Sequence, residues 1–144
     1  MQEKKLAIVS GGFDPVHIGH LELFERAKSI ADDLFVIVND DSFLERKKGK
    51  PFMRLNERLK IIESLKPVTM VIESSDEDDT VCNTLQWICA LYKNEYKRMM
   101  FCNGGDRTNK EDTPEHIKCE QLGIKPVYGL GKKIQSSSWL TNNK

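Results

Sequence analysis

The strongest constraint on the fold is an alternation of two hydrophobic patterns along the chain. Short, continuous apolar runs such as Leu34 to Val38 are typical of strands that are buried on both faces. Longer segments with the spacing of an amphipathic helix lie between them, the first from His17 to Asp32. Strands that alternate with helices form parallel sheets joined by right-handed crossovers. The pattern therefore predicts a three-layer α/β/α sandwich.

The same patterns predict a five-stranded, Rossmann-like parallel sheet. The predicted strands are Lys5 to Ser10, Leu34 to Val38, Val68 to Ile72, Met99 to Cys102 and Lys125 to Tyr128. After the first helix, further helices are predicted from an Asn56 cap, from Asp79 or Thr80 through Tyr92, and from Thr113-Pro114 to Leu122. Residues Asn39 to Phe52 are polar, lysine-rich and contain proline, so we expect a mobile loop there. In such sheets ligands bind beyond the carboxyl ends of the strands, where the strand order reverses.

Composition excludes several classes of function. The chain has 144 residues, with 22 basic and 22 acidic side chains and no net charge, so we expect one domain over residues 1–144. A neutral chain lacks the positive field that nucleic acids and anionic lipids require. No apolar run approaches the roughly 20 residues of a membrane helix, and the N-terminus lacks the pattern of a secretion signal. We therefore expect a cytoplasmic protein that binds neither nucleic acid nor membrane.

Four cysteines stand at spacings that match no common metal site. They contain no Cys-x-x-Cys pair and no histidine at zinc-finger spacing. We expect reduced, mostly buried thiols and no metal held by these residues.

The most informative segment directly follows the first predicted strand and reads GGFDPVHIGH, from Gly11 to His20. Glycines let the backbone approach a phosphate, and the N-terminus of the following helix offers free N–H groups. His17 and His20 are three residues apart, so both imidazoles lie on one face of that helix end. Such a pair can donate hydrogen bonds to phosphate oxygens during phosphoryl transfer. The alternative is that the two histidines only cap the helix.

This segment resembles the HxGH signature of the nucleotidyltransferase superfamily. The continuation GHLELFERAK is similar to the small cytidylyltransferases, such as the glycerol-3-phosphate cytidylyltransferases, and less closely to the heptose-phosphate adenylyltransferases. The resemblance implies three catalytic residues, namely His17, His20 and Lys48. It also implies a set of nucleotide-binding residues: Gly11, Gly12, Phe13, Asp14, Gly19, Arg58, Gly105, Asp106, Ser136, Ser137 and Ser138.

Each of the more distant residues has a role by resemblance and an ordinary alternative. Lys48, in the segment Arg46 to Gly49, adds positive charge near the phosphates, or belongs to a solvated loop. Arg58 lies near the phosphates, or is a surface charge on a helix. Asp106 binds the ribose or base, or belongs to a plain turn. Ser136 to Ser138 contact the β- and γ-phosphates, or cap the last helix.

The chain departs from the family pattern at two places. Residues Gly131 to Gln135 stand where cytidylyltransferases carry Arg-Thr-x-Gly, which leaves the choice of base open. Gly12 stands where several relatives have a hydroxyl side chain, so one phosphate contact is missing from the pattern.

The resemblance implies transfer of CMP or AMP from CTP or ATP to a small phosphorylated alcohol or sugar, with release of pyrophosphate. Mg²⁺ would arrive with the triphosphate rather than in a protein metal site. Relatives are commonly dimers or larger, so a homo-oligomer is expected. The alternative from another class is a non-catalytic nucleotide-binding regulatory module of the same fold.

Overall fold

The computed structural model describes residues 3–74, 76, 80–103 and 113–130. These residues contain five strands and five helices, with one helix between successive strands except between the second and the third strand, where there are two. The strands are β1 (Lys5–Gly11), β2 (Asp33–Val38), β3 (Met70–Glu73), β4 (Arg98–Cys102) and β5 (Lys125–Val127). The helices are α1 (Ile18–Ser29), α2 (Asp41–Lys48), α3 (Leu55–Glu63), α4 (Cys82–Tyr92) and α5 (Pro114–Leu122). None of the helices in this part of the chain is long and apolar enough to cross a membrane.

All five strands are parallel, in the order β3-β2-β1-β4-β5. The chain moves from β1 outward to β3 on one side and then returns to place β4 on the other side of β1. The strand order therefore reverses at the central strand, and the carboxyl ends of β1 and β4 are neighbours. This is the predicted Rossmann-like sheet, and its ligand crevice is expected at that reversal.

Two apolar layers enclose the sheet because successive residues of a strand point to opposite faces. Leu6 and Ile8 of β1 belong to a core that includes Leu85 and Ile88 of α4. Ala7 and Val9 of the same strand belong to the other core, which includes residues of α1 and α3. The predicted three-layer sandwich is therefore confirmed.

Apart from shifts of one to three residues at the ends of the other predicted elements, three predictions differ from the structure. The segment expected to be a mobile loop contains α2, whose start is capped by Asp40 through a hydrogen bond from the N–H of Phe43 (2.8 Å). The helix expected to begin at an Asn56 cap begins earlier, with Arg54 as its N-cap and no capping side chain. The helix expected to be capped by Asp79 or Thr80 has Val81 at that position.

The carboxylate that supports the start of α4 comes from Asp76, further back along the acidic segment. It accepts hydrogen bonds from the N–H groups of Asn83 (2.8 Å) and Thr84 (2.9 Å) and from the Thr84 hydroxyl (2.6 Å). Asp76 thus stabilises the helix start through direct hydrogen bonds as well as through its charge.

All four cysteines are free thiols. Cys102 and Cys119 are buried in the two cores, and burial raises the pKa of each thiol to about 12. Cys82 and Cys89 are half-buried. The structure agrees with the expectation of reduced thiols. The expectation that the cysteines are buried is met fully by Cys102 and Cys119.

Candidate active site

Two glycines stand at the end of β1 and at the start of the turn after it, and a Cβ atom at either position would meet a neighbouring side chain. A Cβ atom on Gly11 would lie 2.9 Å from the ring of Phe13, and one on Gly12 would lie 2.9 Å from a methyl group of Leu44. The carbonyl oxygen of Gly11 accepts a hydrogen bond from the N–H of Asn39, just beyond β2 (3.0 Å). Gly11 is thus closely packed against the buried ring of Phe13, whereas the methyl group beside Gly12 is the end of a flexible side chain that can move.

Phe13 belongs to the core rather than to a ligand surface. Its side chain is 4% exposed, and its ring meets those of His20 and Phe24 edge-on, with centroids 4.9 and 5.4 Å away. Its backbone has a φ of +52°, a left-handed conformation that is costly for a bulky residue and needs support from the surrounding structure. Because its ring is buried, Phe13 can contact a nucleotide only through its backbone.

His17 and His20 form a capping box at the start of α1. The Nδ1 atom of His17 accepts a hydrogen bond from the N–H of Gly19 (3.1 Å), and the Nδ1 atom of His20 accepts one from the N–H of His17 (3.2 Å). The two rings are stacked, with centroids 3.8 Å apart and planes inclined by 19°. From the sequence, these histidines were expected either to bind phosphate or only to cap the helix. The structure shows that they do cap the helix. The cap also fixes the direction in which both rings point.

Capping determines which ring nitrogen carries the proton. Because each Nδ1 accepts a hydrogen bond, the neutral ring carries its proton on Nε2. Burial lowers the pKa of His17 below the usual 6.5, and burial together with the neighbouring His17 lowers the pKa of His20 to about 3. Both rings are therefore neutral at pH 7, and each carries one Nε2–H donor.

The Nε2 atom of His17 is buried and has no hydrogen-bond partner among the described residues. Buried N–H groups without partners are rare in folded proteins, so this donor is available to a group beyond the described residues. The two stacked donors lie directly after β1, at the edge of the sheet where the strand order reverses. This arrangement can donate two parallel hydrogen bonds to an anionic group placed over the turn.

The carboxylate of Asp14 holds the segment that follows α2. It is 2% exposed, and it accepts hydrogen bonds from the backbone N–H groups of Phe52 (2.6 Å) and Met53. It also pairs with the ammonium group of Lys48 (2.9 Å). Sequence reasoning assigned Asp14 to nucleotide binding, whereas its carboxylate is engaged by the chain itself. Two N–H groups and a cation compensate the burial of its charge.

Lys48 is the last residue of α2 and is not in a loop, contrary to expectation. Its side chain is 28% exposed, and its Nζ atom also donates to the carbonyl oxygen of Asp14 (3.0 Å). An ammonium group has three N–H donors, and these two contacts use two of them. Lys48 is thus attached to the turn that leads into His17, with one donor remaining.

Arg58 lies on α3 and has no exposed surface, so it is not the surface charge that the sequence allowed. Its guanidinium donates to three backbone carbonyl oxygens, those of Gly12 (2.8 Å), Asn39 (2.6 Å) and Met53 (3.0 Å). It also pairs with the carboxylate of Asp41 (2.7 Å). Asp41 was not among the site residues predicted from the sequence. The only sequence feature that marks it is an acidic side chain in the first turn of a helix that follows a strand.

Five predicted nucleotide-binding residues lie outside the described residues, namely Gly105, Asp106, Ser136, Ser137 and Ser138. The departure at residues 131–135 lies outside them as well. The described residues contain no group of three or more His, Cys, Asp or Glu side chains that could hold a metal ion. The described candidate site therefore consists of the turn after β1, the two histidines and Lys48, supported by Asp14 and Arg58.

A family model described as cytidylyltransferase-like matches residues 8–123, which include every part of this site. The chain belongs to the cytidylyltransferase-like family.

Curated relatives match this chain over only part of their own length. An FAD synthase of Thermococcus sibiricus is 38% identical over 73 residues, which is 49% of this chain and 49% of that protein. The bifunctional protein HldE of Helicobacter hepaticus is 32% identical over 131 residues, which is 90% of this chain but 25% of HldE. The match to HldE thus includes nearly all of this chain.

Solved structures support the same fold. The lipopolysaccharide core biosynthesis protein of Thermoplasma volcanium superposes with a TM-score of 0.67 at 25% identity, over 87% of this chain and 95% of that one. An NadR protein in complex with NAD and AMP-PNP superposes with a TM-score of 0.56 at 14% identity, over 91% of this chain and 39% of that one. The second likeness concerns the fold alone.

Proposed function

We propose that this chain is a nucleotidyltransferase that transfers CMP or AMP from CTP or ATP to a small phosphorylated alcohol or sugar. A phosphate oxygen of the acceptor attacks the α-phosphorus in line, and the bond from the α-phosphorus to the bridging oxygen breaks. Pyrophosphate leaves with the electron pair of that bond, so no covalent enzyme intermediate is required. The observation that carries the proposal is the pair of stacked, neutral imidazoles whose Nε2–H donors remain after capping.

In this proposal the histidines act as hydrogen-bond donors and not as acids or bases. Their lowered pKa values keep both rings neutral, and the capping box holds them in one orientation before the substrate arrives. His17 and His20 donate to α- and β-phosphate oxygens, whose negative charge is redistributed as the bond to the leaving group breaks. Lys48 adds positive charge from the end of α2 through its remaining N–H donor.

Chemistry and the names of the relatives support the proposed substrates. FAD contains an adenylate joined through a pyrophosphate bridge to a phosphorylated alcohol, so a relative named FAD synthase supports the proposed class of acceptor. The leaning of the sequence toward cytidylyltransferases keeps CTP in the proposal beside ATP. The triphosphate enters as its Mg²⁺ complex, in which phosphate oxygens and waters hold the ion. We further propose a homodimer or larger assembly.

Pyrophosphate release tests the proposal directly. The purified chain is incubated with Mg²⁺, each of CTP, ATP, GTP and UTP, and a panel of phosphorylated alcohols and sugars. We expect acceptor-dependent release of pyrophosphate with CTP or ATP. Binding of a nucleotide in a thermal-shift assay, with no release for any acceptor in the panel, would support the regulatory module instead.

A further inference from the structure

We infer that Arg58 is a positioning residue: it aims the backbone N–H of Phe13 at the bound phosphates and does not touch them itself. The inference deepens the proposed function and rests on it. It replaces the role that family resemblance implied, in which the arginine lies near the phosphates and binds the nucleotide.

The side chain of Arg58 is enclosed by the chain. Arg58 is 0% exposed, and four of the five N–H donors of its guanidinium are used inside the chain. Three of its acceptors are backbone carbonyl oxygens from different segments, just after β1, just after β2 and just before α3. A group held in this way cannot reach a ligand without breaking several buried hydrogen bonds.

The peptide that joins Gly12 to Phe13 has a fixed orientation relative to Arg58. A trans peptide is planar, and its C=O and N–H groups point in opposite directions. Because the Gly12 carbonyl oxygen points at Arg58 (2.8 Å), the N–H of Phe13 points away from Arg58. The preceding peptide follows the same logic, since the Gly11 carbonyl accepts from Asn39 beside β1. The N–H of Gly12 therefore points away from β2, toward the β4 side of the turn.

The orientation of this peptide goes with an unusual backbone conformation at Phe13. Phe13 has a φ of +52°, a region that bulky residues adopt only when their surroundings enforce it. The hydrogen bond from Arg58 to Gly12 holds the peptide on one side of Phe13. The ring of Phe13, buried against His20 and Phe24, holds the other side. The turn thus presents its N–H groups in a fixed direction before any ligand binds.

Arg58 also fixes the segment that follows Lys48. The carbonyl oxygen of Met53 accepts from Arg58 Nε (3.0 Å), while the N–H of the same residue donates to the carboxylate of Asp14. Met53 is therefore held at both ends by two buried groups of opposite charge. Arg58 thereby links the glycine turn and the end of α2 into one rigid unit.

Lysine cannot replace arginine in this role. Four acceptors lie around Arg58 in different directions, and only the planar, forked guanidinium reaches all of them. Arg58→Lys keeps the charge beside Asp41 but loses most of the hydrogen bonds to carbonyl groups. This substitution therefore separates the geometry of the guanidinium from its charge.

The test compares wild type with Arg58→Lys, and with Lys60→Gln as a matched control on the exposed face of the same helix. We expect Arg58→Lys to shift the amide resonance of Phe13 in the free protein and to lower turnover by on the order of 10²-fold, as for a misaligned transition-state donor. Lys60→Gln should match wild type in both. Either an unchanged Phe13 resonance or unchanged turnover in Arg58→Lys would overturn the inference.

A second readout needs no variant. In wild type, the Nε–H resonance of Arg58 should stay where it is when Mg²⁺-ATP or Mg²⁺-CTP is added, while the amide resonances of Gly12 and Phe13 move. A large shift of the Arg58 resonance alone would show direct contact with phosphate and would refute the positioning role.

Two controls complete the design. If Arg58→Lys does not fold, Asp41→Ala takes its place, because it removes one acceptor of the guanidinium and should shift the Phe13 resonance in the same way; an unshifted resonance would count against the inference. Wild type that releases no pyrophosphate rejects the proposed function. Active wild type with an equally active, folded Arg58→Lys rejects only the positioning role.

Discussion

The histidine pair and Arg58 lie at the same end of the sheet, yet they use their hydrogen-bonding groups in opposite ways. Each histidine uses one ring nitrogen to cap α1 and keeps the other, and His17 Nε2 has no partner among the described residues. Arg58 uses four N–H groups on the chain and has no exposed surface. The comparison distinguishes groups that remain available to a ligand from groups that hold the backbone around them.

The same criterion assigns the remaining polar residues of the site. Asp14 resembles Arg58, since its carboxylate is buried and engaged by two N–H groups and a cation. Lys48 resembles the histidines, because it is anchored to Asp14 while a donor remains. Residue type alone does not separate these roles, since both positive side chains come from segments that resemble phosphate sites.

The largest expected effect comes from removing the substrate-facing nitrogen while keeping the cap. Asparagine is among the best N-cap residues, so His17→Asn retains an acceptor for the N–H of Gly19 and loses only the Nε2–H donor. We expect turnover to fall by on the order of 10²-fold to 10³-fold, with an unchanged fold. Steady-state pyrophosphate release and thermal unfolding measure the two quantities.

Two controls separate capping from catalysis. His17→Ala should lose the donor and also about 1 kcal/mol of stability, because the cap is lost as well. Thr113→Ala removes the capping side chain of α5, which accepts from the N–H of His116 (3.2 Å), and should cost similar stability with turnover within about twofold. Wild-type turnover in His17→Asn would mean that the histidines are caps and nothing more.

A smaller effect is expected at Lys48. Lys48→Gln can still donate to the buried carboxylate of Asp14 but removes the positive charge, so we expect kcat/KM to fall by about 10-fold or more. Lys48→Arg restores the charge and should recover part of the loss. If the glutamine variant is as active as wild type and equally stable, Lys48 serves neither the substrate nor the turn.

The last prediction concerns the dependence of stability on pH. Unfolded His20 has an ordinary pKa near 6.5, and in the folded chain burial lowers this pKa to about 3. Between these values the unfolded chain binds a proton that the folded chain does not. Stability is therefore complete above about pH 6.5 and falls as the pH drops toward 3, by up to about 1.4 kcal/mol per pH unit.

His20→Gln isolates this contribution. Glutamine at the third helical position can still complete the capping box, but it does not titrate. Urea unfolding of both proteins between pH 7 and pH 4 should give curves of stability that diverge as the pH falls, with the wild type losing more. Parallel curves would show that His20 titrates normally in the folded state.

The sheet could be predicted from sequence because its strands are continuous apolar runs and its helices have a clear period. The α2 helix was missed because its exposed side chains are mostly charged and only Leu44 is buried. The available signals were an Asp cap at residue 40 and Gly49 at its end, whose φ is +92°. Caps were a better guide to this helix than hydrophobic spacing.

The site was predicted in part. The positions of His17 and His20 follow from local spacing, and their motif is short and contiguous. The role of Arg58 could not be read from sequence, because its main acceptors are backbone carbonyls at residues 12, 39 and 53. Backbone carbonyls are present at every residue and leave no mark in a sequence.

The most direct test of the account is the protonation of the two imidazoles. Long-range proton–nitrogen correlation spectra of the labelled protein at pH 7 report which ring nitrogen of each histidine carries hydrogen. We predict neutral His17 and His20, both protonated on Nε2, and a shift of both Nε2 resonances when Mg²⁺-CTP or Mg²⁺-ATP is added. Rings that are protonated on Nδ1, or Nε2 resonances that ignore both nucleotides, would contradict the account.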